Sequence, residues 1–191
     1  MGTDDPSKKD DVQRLLEIVK KESFIKGDFV LSSGAKSTYY FDGKMTSLTP
    51  EGAYLLGKIL FNLLKDTDIQ AIGGPTIGAD PIVAAVAVIS HLEGKPIPAF
   101  LVRGEQKEYG TRKRIEGHLP KGGKVAIVDD AMTRGGSLRQ AIGAVEAEGC
   151  TVAKVIAVVD RREGAEDLRQ KYDFVAIFSY DVSSGELHPS L

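Results

Sequence analysis

Apolar residues recur along the chain with two different periods, and the changes between them divide it into elements. Val12, Leu15, Leu16 and Val19 share one face at helical spacing, so an amphipathic helix opens the chain, with Ser7 or Asp10 as its expected cap. From Phe29 to Phe41 the pattern turns to two short β-prone runs, Phe29-Val30-Leu31 and Thr38-Tyr39-Tyr40-Phe41, separated by Ser32-Ser33-Gly34-Ala35-Lys36. They predict a hairpin, or two short strands, outside the main sheet. Thr49 then offers a capping hydroxyl ahead of Pro50, and Leu55, Leu56, Ile59, Leu60 and Leu63 give the following helix a buried face.

Strand-like and helix-like segments alternate from there on. Strands are predicted near residues 69–73, 97–102, 124–128, 152–159 and 174–178, and helices near 78–92, 136–149 and 165–172. This rhythm predicts an α/β fold: a central, mostly parallel five-stranded sheet flanked by helices, with ligands beyond the carboxyl ends of its strands. Residues 103–123 interrupt it with glycines, many charges and no sustained apolar period. A loop of that length in a compact domain is a functional lid or a solvated, mobile surface. No repeat or interdomain linker is visible, so residues 1–191 are read as a single domain, with an N-terminal hood over about 1–48 and the lid over about 103–123.

Composition narrows the function classes. The 25 Lys plus Arg nearly balance the 27 Asp plus Glu, so no global basic excess argues for a nucleic-acid partner, and any anion site must be local. The sole cysteine, Cys150, has no intrachain disulfide partner, and Met1-Gly2-Thr3-Asp4-Asp5-Pro6 lacks the basic-then-apolar layout of a signal peptide. Pro6 stands where a myristoylation signal wants Ser or Thr, and the longest apolar stretch, from Ile82 to Ile89, is too short for a bilayer. A cytoplasmic enzyme with no membrane partner is the expectation.

The sharpest chemical signal is the apolar run Val125-Ala126-Ile127-Val128, followed by Asp129-Asp130-Ala131-Met132-Thr133-Arg134-Gly135-Gly136-Ser137. Backbone N–H groups of a glycine turn at a helix N-terminus form a nest for phosphate, and the hydroxyls of Thr133 and Ser137 add donors. Asp129 and Asp130 at the strand tip can accept hydrogen bonds from ribose hydroxyls beside that phosphate. Taken alone, paired acids before two glycines also suit an ordinary strand–turn–helix junction.

The ordered string resembles the signature of the type I phosphoribosyltransferases: four apolar residues, two acids, two spacers, Thr, a small residue and Gly. Arg134 departs from it, standing where the family usually has a small residue. Further segments resemble the orotate phosphoribosyltransferases in particular. The segment from Gly27 to Phe41 is similar to that family's hood, whose consecutive aromatics, here Tyr40 and Phe41, border orotate; without the resemblance, the same run suits core packing. Gly73-Gly74-Pro75-Thr76-Ile77-Gly78-Ala79-Asp80-Pro81 is similar to the pyrophosphate loop, with Gly78 where some members carry lysine. Arg103, Lys107 and Tyr109 match the catalytic lid, while Gly104 replaces its usual second cation. Asp160-Arg161 resembles the family's Asp-Arg motif, whose arginine pairs with the orotate carboxylate.

The resemblance therefore implies a phosphoribosyltransferase-like fold and transfer of ribose 5-phosphate from 5-phosphoribosyl diphosphate to orotate, in pyrimidine biosynthesis. It implies catalytic roles for Arg103, Lys107, Asp129 and Asp130. The phosphoribosyl diphosphate site would comprise Ile77, Gly78, Arg103, Lys107, Tyr109, the acid pair and residues Ala131, Met132, Thr133, Arg134, Gly135, Gly136 and Ser137. Tyr40, Phe41, Thr133 and Arg161 would take orotate. Mg²⁺ is the implied cofactor, held mainly by substrate and water, and the implied assembly is a homodimer with shared active sites. A purine phosphoribosyltransferase and a non-catalytic phosphoribosyl diphosphate sensor are the competing readings.

Overall fold

The computed structural model describes residues 6–30, 36–104, 114–181 and 183–191. The chain opens with α1 (Pro6–Ile18), continued by a π-helical turn over Val19–Ser23. Ser7 and Asp10 lie inside this helix, which is described from Pro6 onward. β1 (Phe24–Val30) and β2 (Lys36–Phe41) pair antiparallel as a separate two-stranded sheet, the expected hood. Phe24 anchors it, with its ring 5.4 Å from Phe41 edge-on and 6.0 Å from Tyr180 in a stack.

A short helix α2 (Lys44–Ser47) leads to α3 (Pro50–Leu64), where the Thr49 side chain accepts from the Gly52 amide as expected. The following elements are β3 (Ala71–Pro75), α4 (Asp80–Leu92), β4 (Ala99–Val102), β5 (Ile115–Gly117), β6 (Lys124–Met132), α5 (Gly136–Ala147), β7 (Thr151–Asp160), α6 (Glu166–Lys171), β8 (Asp173–Asp181) and β9 (Glu186–Pro189). The sheet order is β5-β4-β3-β6-β7-β8-β9. The strands β4, β3, β6, β7 and β8 are the parallel ones anticipated from the sequence.

The sheet has seven strands, two more than expected, because antiparallel β5 and β9 extend its edges. β5 lies inside the stretch read as lid, so residues 103–123 are not all loop. Arg103 N–H donates to Arg114 O at 2.9 Å and His118 N–H to Ala99 O at 3.0 Å, which carries the ladder past both ends of β5. Residues 105–113, with Lys107 and Tyr109, lie outside the described residues.

Alternation along β6 divides the core. Ala126 and Val128 pack with Leu15, Leu60, Val83 and Val86 from α1, α3 and α4, whereas Val125 and Ile127 pack with Leu138, Ile142, Val145 and Leu168 from α5 and α6. Strand succession changes sides between β3, which feeds β4 on one side, and β6, which feeds β7 on the other, although the two run parallel. Their carboxyl ends flank a crevice at this switch point, the place where open α/β sheets bind ligands.

Two glycines let β3 run close to its neighbours. A Cβ at Gly73 would lie 2.2 Å from the Phe100 ring, and one at Gly74 would lie 2.0 Å from the Val128 carbonyl oxygen. The Phe100 ring can shift, but a ladder carbonyl cannot. Gly74→Ala is therefore expected to destabilise the fold by about 2–3 kcal/mol. Gly143→Ala, in α5 with no atom within 4 Å of the added carbon, should stabilise it by about 0.5–1 kcal/mol. Denaturant unfolding of the two variants checks this contrast, and equal midpoints would refute it.

Candidate active site

Three loops meet beyond the carboxyl ends of β3, β6 and β7, and each owes its shape to local chemistry. At the end of β6, Gly135 sits in the left-handed region (φ 73°, ψ 19°) immediately before α5. Space forbids a side chain there as well, because a Cβ would lie 2.7 Å from Leu168 Cδ1 and 3.0 Å from Ala165 Cβ. The first turn of α5 carries no acidic residue and no side-chain cap, and an added Cβ at Gly136 would meet nothing within 4 Å. The amides of Gly136 and Ser137 are thus presented at an open helix start, with the geometry and partial charge that suit a phosphate. Arg134 is exposed, and its stem runs past Gly164 rather than across the glycine turn.

Asp129 and Asp130 lie within the last turns of β6. Asp129 is only 6% exposed, and its Oδ1 accepts from the Asp130 amide at 3.0 Å. Backbone approaches Asp130 from two sides: a Cβ at Gly78 would lie 2.6 Å from its Oδ1, and one at Gly43 would lie 2.7 Å from its Cβ and Oδ2. Gly78 therefore does more than close a turn, since any side chain there would displace the carboxylate. Burial pushes the Asp129 carboxyl well above the usual carboxylate range, and the charge of Asp130 pushes it the same way. Burial also raises Asp130, against the opposing charge of Lys44. Among the described residues no group of three His, Cys, Asp or Glu side chains is placed to hold a metal ion.

The β7–α6 loop is built on Asp160. This buried carboxylate takes both Arg169 Nε (3.0 Å) and Nη2 (2.8 Å), and its Oδ1 also accepts from the Arg162 amide at 2.9 Å. The last bond supports the positive φ of Arg162 (54°). Arg161 N–H donates to Met132 O at 2.9 Å, joining this loop to the acid pair's strand. The Arg161 side chain is not an exposed strand-end group: the residue is 7% exposed, and its Nη2 lies 2.7 Å from Glu163 Oε1.

The remaining candidates divide. Neighbouring residues of a strand face opposite ways, so Phe41 enters the core while Tyr40, against Phe29 at 5.6 Å, is exposed. Ile77 is exposed in the β3–α4 loop, and Met132 is buried beneath the site. Arg103 Nε lies 3.4 Å from Glu116 Oε1 on β5. The structure adds residues that periodicity does not reveal: Asp42, Gly43 and Lys44, beside Asp130, and the Asp160–Arg169 pair. Their only sequence signal is that Asp-Gly-Lys follows the hood aromatics directly.

Residues 53–185 match the family model described as the phosphoribosyl transferase domain. An orotate phosphoribosyltransferase from a Nostoc species is 44% identical over 170 residues, spanning 87% of this chain and 82% of the relative. The chain belongs to the orotate phosphoribosyltransferase family. A second member, from Bradyrhizobium diazoefficiens, is 46% identical over 159 residues, 81% of this chain and 84% of its own. The Mycobacterium tuberculosis orotate phosphoribosyltransferase, solved in complex with 5-phospho-α-D-ribosyl 1-diphosphate, superposes with a TM-score of 0.73 at 34% identity, covering 88% of this chain and 96% of that one. Membership accounts for the string of residues 125–137 and for strands β3 to β8, which fall inside the matched region.

The raised acids make a checkable statement about stability. Their folded pKa values exceed those of the unfolded chain, so they favour folding below the ordinary carboxylate value of about 4, and this contribution is lost as pH rises through the raised values. Asp129→Asn should then raise the Tm of the unliganded protein at pH 8 by about 2–5 °C and give a smaller gain at pH 5. Asparagine Oδ1 can still accept from the Asp130 amide. A Tm lowered at pH 8 would show that Asp129 serves the framework instead.

Proposed function

We propose that this site transfers the 5-phosphoribosyl group from 5-phosphoribosyl diphosphate to orotate, giving orotidine 5′-monophosphate and pyrophosphate, a step of pyrimidine biosynthesis. The observation that carries the reading is the convergence of an open helix start at Gly136, a buried acid pair and a buried arginine on one crevice. The 5′-phosphate sits on the amides of the Thr133–Ser137 loop. Asp129 and Asp130 accept the ribose hydroxyls, whose hydrogen bonds favour the charged carboxylates and so oppose their raised proton affinity. The Thr76-Ile77-Gly78 loop takes the diphosphate on its backbone, since glycine leaves no cation there.

Arg161 recognises the orotate carboxylate, which replaces Glu163 as its partner, while Tyr40 borders the ring from the hood. Exchanging one carboxylate for another keeps the guanidinium paired throughout, so neither state leaves a buried charge exposed to an apolar wall. Cleavage at the anomeric carbon builds positive charge on the sugar and negative charge on the leaving group, as in other glycosyl transfers. Arg103 and Lys107 neutralise the leaving diphosphate, Arg103 first releasing Glu116. Mg²⁺, when bound, would supply positive charge to the leaving diphosphate. Two adjacent carboxylates are too few to enclose it, which suits an ion held mainly by substrate and water.

The same reading makes the enzyme a cytoplasmic homodimer with sites shared between subunits. Its support is the set of exposed apolar residues Met45, Leu48, Tyr54, Val88 and Leu92, carried on and around α2, α3 and α4. No helix among the described residues is long and apolar enough to cross a membrane.

Purified protein with Mg²⁺ and 5-phosphoribosyl diphosphate should consume orotate and leave adenine, hypoxanthine and xanthine untouched; turnover of a purine with orotate unused would overturn the assignment. Arg161→Ala should lose roughly 2–5 kcal/mol of orotate interaction, seen as a raised KM for orotate with nearly unchanged affinity for 5-phosphoribosyl diphosphate. Equal losses for both substrates would make Arg161 a structural residue.

A further inference from the structure

The acid pair is approached by a segment that none of the roles above uses. Between hood and body, Asp42-Gly43-Lys44 is pinned on both sides: Asp42 N–H donates to Ser23 O at 3.0 Å, and the buried Thr46 hydroxyl lies 2.6 Å from Ser23 Oγ. Gly43 brings this turn against Asp130, with room for no side chain between them. Lys44 follows at once. Its Nζ is 2.6 Å from Asp42 Oδ1, and the same oxygen accepts from the Lys44 amide at 3.1 Å, so Asp42 fixes both ends of the residue. The Lys44 charge acts on Asp129 and Asp130, and that of Asp130 in turn helps raise the Lys44 ammonium after its bond to Asp42.

An ion pair confined to a surface turn contributes little. Lys44 differs because two neighbouring buried carboxylates repel each other and lose hydration, so a fixed cation beside them decides whether they stand charged and in which orientation. We propose that Lys44 is a positioning residue of the ribose subsite, holding the Asp130 carboxylate ready for the ribose hydroxyls, and that Asp42 aims Lys44. This rests on the reading that Asp129 and Asp130 receive the ribose. It makes the hood junction part of the sugar site as well as a border of the base site.

The test is calorimetric titration of the full-length protein with 5-phosphoribosyl diphosphate and Mg²⁺, alongside steady-state kinetics. Lys44→Met should raise Kd and KM for 5-phosphoribosyl diphosphate about tenfold, as expected for loss of the fixed cation beside the acid pair, and move the KM for orotate less than about twofold. Lys44→Arg should restore most of the affinity, and Asp42→Asn should lose roughly threefold. In an Asp130→Asn background, Lys44→Met should add less than about twofold, because the group it positions is gone. Unchanged affinity in Lys44→Met, or an equal loss in both backgrounds, overturns the proposal. If Asp130→Asn alone leaves the affinity intact, the ribose assignment itself is at fault. Should Lys44→Met fail to fold, Asp42→Asn decides: unaltered affinity there refutes the aiming role, and a loss of affinity with an unchanged Tm supports it.

Discussion

Two carboxylates placed side by side at the buried end of a strand are an unfavourable arrangement, and much of the surrounding structure exists to hold them. Asp129 accepts from the next backbone amide, Asp130 lies between the backbones of Gly43 and Gly78, and Lys44 brings a cation from the hood. Each device solves the same problem, that of keeping charge and orientation where water has been removed. A hydrophobic pair at these positions would suit the fold better. Retaining the acids makes sense for a ligand that supplies hydrogen-bond donors, as the ribose of the proposed reaction does.

The fold supplies the rest through backbone approach. At the switch point between β3 and β6 the carboxyl ends of the strands separate, and the glycines mark where main chain must come close to something. Gly74 meets the β6 ladder, Gly78 meets the acid pair, and Gly135 turns into α5 against α6. The Asp160–Arg169 pair plays the equivalent part on the far side, fixing the loop from which Arg161 reaches in. The three loops thereby stand on rigid sheet, and the Arg161 guanidinium among them is buried and paired with Glu163.

Much of this was legible in the sequence, where burial imposes periodicity. The strands with apolar runs and the helices between them are placed to within a few residues, and the string from Asp129 to Ser137 marks the turn from strand into helix. The edge strands were not legible. Ile115-Glu116-Gly117 and Glu186-Leu187-His188-Pro189 are short, polar and paired along one side only, so they carry no repeating buried face. Nor does sequence spacing show that Phe41 turns inward while Tyr40 faces out, or that the residues just beyond them touch Asp130. That contact joins positions far apart in the chain and follows from the way the hood folds back onto β6. The lid residues Lys107 and Tyr109 rest on the resemblance to the family.

The central claim is that the Thr133–Ser137 turn, the acid pair and Arg161 act as one site with phosphate, ribose and base in that order. A crystal structure of the full chain with orotidine 5′-monophosphate tests it most directly. The account predicts phosphate oxygens about 2.7–3.2 Å from the amides around Gly135 and Gly136, ribose hydroxyls on Asp129 and Asp130, and the base carboxylate on Arg161 in place of Glu163. A nucleotide bound with its phosphate away from that turn, or with its carboxylate away from Arg161 while Glu163 keeps the guanidinium, would contradict it.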